Sequence, residues 1–232
     1  MLLAELEIRH SRAVAPTRRV ALGELWLPTD PSPGFGGILI AGIVATFIAG
    51  LDEEMHDGLE TLLTDVEGGR RVVQPRLRHR FQHDVVGLDR SRHTLIGHGE
   101  HVRLELDDHG AAMPQILGAL YAAGQLSYSA RPSVWRLIRR ATRWEGAAGD
   151  ALVAYLTGDE AAFRVDRLAV HGQAWALQVL GFPRDAAPER DEVLRRFRSL
   201  IRHAHPDHGG QTEGAGTLIH QLTQAKRILA GT

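Results

Sequence analysis

The most apolar stretch of the chain, Gly37–Leu51 (GILIAGIVATFIAGL), carries no charged side chain until it meets Asp52. At about 15 residues it is shorter than the roughly 20 a helix needs to span a bilayer. It therefore predicts a buried helix, and a helix without a polar face must be covered by other elements of the fold. A chain of 232 residues, 44% of them hydrophobic, is long enough to supply that cover.

The flanking segments supply candidates for the cover. LAELEIRH and RRVALGELWLP alternate as half-buried strands do, and PTDPSPGFGG punctuates the chain with a loop. Asp52–Val66 places Met55, Leu59, Leu62 and Leu63 at helical spacing, ended by Gly68-Gly69. HVRLELDDHG alternates again, and Met113–Leu126 reads as a close-packing helix. Pro132 opens PSVWRLIRRATRW, an amphipathic helix with Trp135, Ile138 and Trp144 set against an arginine-rich face. Met1–Leu168 is thus expected to be an α+β domain, and no family is recognised in it.

Several chemistries are disfavoured. Lys+Arg 27 against Asp+Glu 28 leaves a formal charge of -1, so any preference for nucleic acid or anionic lipid must be local. No cysteine is present, which removes disulfides, thiolate zinc sites and thiol catalysis. The N-terminus lacks a basic segment before an apolar core, so a cytoplasmic protein without a secretory signal is expected. The common nucleotide-binding and hydrolase motifs are absent, and neither cofactor nor small-molecule substrate is expected.

Two local features remain. His79, His83, His93, His98, His101 and His109 raise a metal-binding possibility, but their spacings are loose and surface or hydrogen-bonded histidines are favoured. Arg70, Arg71, Arg76, Arg78 and Arg80 form a basic patch, which gives a second functional reading: a nucleic-acid- or phosphate-binding protein.

The last 60 residues follow a clearer plan. Ala174–Leu180 is a short apolar helix stopped by GFP, and a second helix opens near Pro188 with Glu189, Asp191 and Glu192 in its first turn. Val193, Phe197, Leu200 and Ile201 form its apolar face, and Arg195, Arg198 and Arg202 its basic one. It runs into HAHPDHGG, His203–Gly210, where Pro206 and the two glycines impose a loop. A third helix starts between Thr212 and Thr217 and carries Leu218, Ile219, Leu222, Ala225 and Leu229. A short helix plus an antiparallel helical hairpin is the expected architecture.

The octapeptide reads in two ways. As H-x-H-x-D-H it has the ligand spacing of a two-metal hydrolase of the metallo-β-lactamase type, but it follows a basic helix rather than a strand, and downstream only His220 could add a ligand. The other reading rests on WALQVLGFP, DEVLRRFRSLIRHAHPDHGG and LIHQLTQAKRILAG taken together. Over Gln173–Thr232 the chain resembles the J-domain family in its first helix ending in Leu-Gly, its basic second helix, its His-Pro-Asp loop and its third helix. Phe197 stands where the family often has Tyr, Ser199 where a basic residue is frequent, and Arg196 where Ala is.

The resemblance implies a cochaperone rather than an enzyme. His205, Pro206 and Asp207 would engage an ATP-bound chaperone of the DnaK type and accelerate its ATP hydrolysis. Arg195, Arg198 and Arg202, with Phe197 supporting them, would lie against an acidic partner surface. The N-terminal domain would recruit a client protein or position the chaperone. No membrane span and no metal are expected.

Overall fold

A computed structural model describes residues 1–12, 14–15, 17–70, 77–98, 101–158, 165–183, 185–204 and 215–230. The chain divides into two compact units, Leu2–Val165 and Asp166–Thr232, the latter grouped with Met1. The fold is mixed α+β, with a five-stranded sheet and eight helices among the described residues.

In the first unit the strands are β1 (Leu2–His10), β2 (Arg19–Trp26), β3 (Arg80–Phe81), β4 (Asp89–His98) and β5 (His101–Leu106). Their order in the sheet is β3-β2-β1-β4-β5. All pairings are antiparallel except the two-residue β2–β3 contact. The helices are α1 (Gly34–Ile48), α2 (Glu53–Glu67), α3 (Ala112–Gln125), α4 (Arg131–Ala141) and α5 (Asp150–Thr157). Helix α1 is the apolar stretch, starting three residues earlier than its sequence suggests, and it is buried along almost its whole length. It packs on α3, α4, α5, β1 and β4. Ile38, Leu39, Ile40 and Ile43 are fully enclosed, each burial contributing roughly 1.5–3 kcal/mol.

Central strand β1 shows why the sheet has two different faces. Ile8 meets Gly118 of α3, and by the two-residue alternation of a strand Ala4, Leu6 and His10 share that face. On the other face lie Glu5 and Glu7, both buried, which survive there because arginines reach them. Arg92 Nε donates to Glu5 at 2.8 Å and Arg9 Nε to Glu7 at 2.5 Å.

Two expectations need correction, and one strand lies where the sequence announces none. Strand β4 pairs with β1 along nearly its full length, yet its sequence DRSRHTLIGH looks too polar for an inner strand. Its polar side chains are tolerated because Ser91 and His93 are hydrogen-bonded inside and Arg92 pairs with Glu5. Trp144 lies beyond the end of α4, where its ring tilts against Tyr155 at 4.9 Å. The short helix expected at Ala174–Leu180 is the C-terminal part of the longer α6 (Val165–Val179), which lies almost wholly in the second unit.

The second unit comprises α6, α7 (Arg190–Ala204) and α8 (Ala215–Ala230). Ala176, Leu180, Val193, Leu222 and Ala225 form one buried core contributed by all three helices. Phe197, Leu200, Ile201, Ile219 and Leu229 pack half-buried against it. Helix α6 stops at Gly181, whose φ of 71° is left-handed, and Phe182 N–H closes back on Leu177 O at 2.7 Å. Arg196 completes this ending by donating to Leu180 O at 3.0 Å and Gly181 O at 3.1 Å. Helix α7 begins two residues after Pro188, capped by the Glu189 carbonyl.

Gly118 gives the first unit a direct test. A Cβ there would sit 2.7 Å from the enclosed Ile8 side chain, so α3 can approach β1 this closely only through glycine. Gly118→Ala should cost about 1–3 kcal/mol by overpacking. The check is a urea denaturation curve with a lowered midpoint and an unchanged slope.

Candidate functional site

The C-terminal candidate site is built on α7. Its helical spacing places Val193 in the core and Phe197, Leu200 and Ile201 half-buried against it, while Arg195, Arg198 and Arg202 are exposed. Burial thus separates the two faces that the residue pattern predicts. Phe197 also carries the Lys226 ammonium of α8, 5.2 Å from its ring centroid, a cation–π contact joining the two helices. Arg196 faces differently from its three neighbours: it caps α6 and lies 5.9 Å from the Phe182 ring.

His205, Pro206 and Asp207 lie outside the described residues, as does His208. His203 is described, and it belongs to the last turn of α7 rather than to a loop. Its Nδ1 is 2.7 Å from Ser199 O, so that nitrogen donates to the helix backbone and is unavailable as a metal ligand.

Among the described side chains, the histidines of the first unit do not gather into one cluster. His10, Ser91, Gln115 and His93 instead form a buried hydrogen-bonded chain between the sheet and α3. Ser91 Oγ donates to His109 O at 2.9 Å and accepts from Gln115 Nε2 at 2.8 Å. Gln115 Nε2 also donates to His109 O at 3.1 Å, which fixes the amide orientation and leaves Oε1 to accept from His93 Nε2 at 3.0 Å. Serine's single proton being committed, His10 Nε2 must donate to Ser91 at 2.9 Å. Burial lowers the pKa of His93, which sits edge-on to Phe47 at 5.7 Å. His79 is also lowered by burial, and Arg18 pushes it further down against the raising effect of the Leu77 carbonyl bond.

His109 behaves in the opposite way. Its bond to Asp107, 2.6 Å, and the charge of Asp108 raise its pKa. Burial acts to raise Asp107, but the N–H groups of His109 and Arg92 and the His109 ring outweigh it and hold that carboxylate low. His83 lies edge-on to Phe81, and the side chains of His98 and His101 are outside the described set.

Two arginines of the expected basic patch are neutralised by carboxylates of α2. Arg70 pairs with Asp65 at 3.1 Å and Arg78 with Glu54 at 3.7 Å, while Arg71 and Arg76 lie outside the described residues. Phe81, the one aromatic ring in that stretch, is stacked on Tyr121 at 3.8 Å. A different basic site emerges at the His10 end of the sheet. A cavity of about 600 Å³ is lined by Arg12, Arg18, Arg19, Arg90, His79 and His109 among others. The sequence alone does not single out these arginines: they belong to three separate segments that meet only because β2 and β4 flank β1.

The buried histidines set a pH dependence. A folded-state pKa below the unfolded value of about 6.5 means the unfolded chain takes up the proton first, so stability is full above that pH and is lost as pH falls towards the folded value. His93 and His79 both act in this sense, whereas exposed His109 acts in the reverse sense. The thermal midpoint should therefore drop between about pH 7.5 and about pH 5.5, a range in which carboxylates stay ionised. Gln115→Met, which leaves the buried His93 Nε2 without its acceptor, should cost about 1–3 kcal/mol in chemical denaturation.

Compared with known proteins, the chain matches no family model, no curated protein and no solved structure.

Proposed function

We propose that the protein is a J-domain cochaperone that stimulates ATP hydrolysis by a DnaK-type chaperone. The supporting observation is the exposure of Arg195, Arg198 and Arg202 on α7, a helix whose opposite side packs into a core shared with α6 and α8. A rigid, three-helix mount for a basic strip is what an electrostatically steered contact with an acidic surface requires. The His-Pro-Asp tripeptide follows this strip directly in sequence.

In this reading the arginines provide encounter rate and orientation. Asp207 accepts charge-assisted hydrogen bonds from an arginine of the partner, Pro206 fixes the backbone, and His205 anchors the loop. The reaction belongs to the partner, whose ATP site is activated by contact, so this chain acts without catalytic residues of its own. In this reading α7 and α8 are the two arms of an antiparallel hairpin, joined by the contact of Lys226 with the Phe197 ring. The α+β unit recruits a protein client or positions the chaperone. A cytoplasmic location, where such chaperones and their ATP are found, belongs to the same reading.

Single-turnover ATP hydrolysis by the chaperone should accelerate when this protein is added, and His205→Gln should abolish the acceleration. No stimulation by the unaltered protein would eliminate the proposal. Replacing Arg195, Arg198 and Arg202 together with Glu should slow association by about tenfold or more at low salt, with the difference shrinking as salt screens the contact. Stopped-flow association rates across a salt series provide that measurement.

A further inference from the structure

The cavity in the first unit points to a second activity, independent of the chaperone reading and confined to residues that α6–α8 do not supply. Of the four arginines that line it, Arg12 is neutralised by Asp89. Among the described residues, no carboxylate lies within ion-pair distance of Arg18, Arg19 or Arg90. Strand register makes this more acute, since Arg90 stands directly opposite Arg9 across the β1–β4 ladder, and like charges so placed repel. Arg19, which lines the cavity, has a buried Nε without a hydrogen-bond partner among the described residues.

The opposite wall adds to the positive potential. Ala111, Met113 and Pro114, at the start of the 14-residue helix α3, line the cavity. No side chain caps that helix start and no acidic residue lies in its first turn, so its dipole is left uncompensated on the cavity side. Four arginines against the single carboxylate of Asp89 leave a formal excess of three positive charges, with every histidine counted as neutral.

We propose that this cavity binds a small organic phosphate, with Arg18, Arg19 and Arg90 holding the phosphoryl oxygens and Met113 and Pro114 lying against the organic body. A phosphate monoester carries nearly two charges near neutral pH and several acceptor oxygens, which suits multiple guanidinium forks better than a single carboxylate does. The volume falls within the roughly 300–1,000 Å³ typical of small-molecule sites and exceeds what a bare phosphate ion fills. The engagement of Phe81 with Tyr121 favours a small ligand over a nucleic-acid strand, which needs free aromatic rings on which bases stack.

Calorimetric titration of the full chain tests this with adenosine 5′-monophosphate, inorganic phosphate, succinate and a short single-stranded RNA as probes. The monophosphate should bind with one-to-one stoichiometry, more tightly than inorganic phosphate, and succinate should bind weakly. Arg18→Gln and Arg90→Gln should each weaken the monophosphate by about tenfold or more. Both side chains are exposed, so the variants should stay folded, as far-UV circular dichroism will verify. Arg70→Gln, outside the cavity, should leave affinity unchanged. Absence of binding by the monophosphate would overturn the proposal. So would equal affinity for inorganic phosphate or succinate, an equal loss in the Arg70 variant, or binding of the RNA alone. Chaperone stimulation plays no part in the readout, so the two proposals fail separately.

Discussion

Helix α1 cannot face water anywhere, and the first unit is organised around that constraint. A helix with one apolar stripe needs one neighbour; this one needs neighbours on every side. The sheet supplies β1 and β4, and α3, α4 and α5 close the rest. Because α1 occupies the centre, α3 has to share the same sheet face, and Gly118 is the concession in side-chain volume that lets it do so. The polar chain from His10 to His93 then follows as a consequence. Gln115, on the side of α3 pressed against the sheet, has no water to bond and must find partners on β1 and β4.

Arginine does much of the joining in both units. Arg131 donates to Leu126 O where α3 ends, Arg140 to Tyr155 O and Leu156 O at the end of α5, and Arg196 to Leu180 O and Gly181 O after α6. Each satisfies carbonyls that a helix C-terminus leaves without partners, and each places a cation at the negative end of the dipole. The same residue type covers the buried carboxylates of β1 and joins α4 to α2 through Arg139 and Glu67. An arginine-rich composition that looks like background in the sequence has a structural use at many positions. The outer side of α7 and the wall of the cavity each hold arginines without such a use.

Those two places suggest a division of labour between the units. The basic strip on α7 is exposed, as the proposed contact with a protein surface requires. The cavity is concave and mixes cationic with apolar walls, suited to a small ligand. Each unit has its own core, so either site can be altered without dismantling the other.

Local periodicity determined a good deal by itself. The buried α1, the alternating β1 and β2, the amphipathic α7 with its core and basic faces, and the stop after α6 at Gly181-Phe182 all follow from spacings within one element, because a 3.6- or 2-residue repeat is a short-range property. The tertiary structure decided what depends on partners distant in sequence. It made a polar segment into inner strand β4 by giving Ser91, Arg92 and His93 bonding partners from β1 and α3. It paired Arg70 and Arg78 with carboxylates of α2 and assembled Arg18, Arg19 and Arg90 from separate segments around one cavity. Whether a charge is neutralised or left free depends on which chain segments are brought within a few ångströms of it, and no spacing along a single element carries that information.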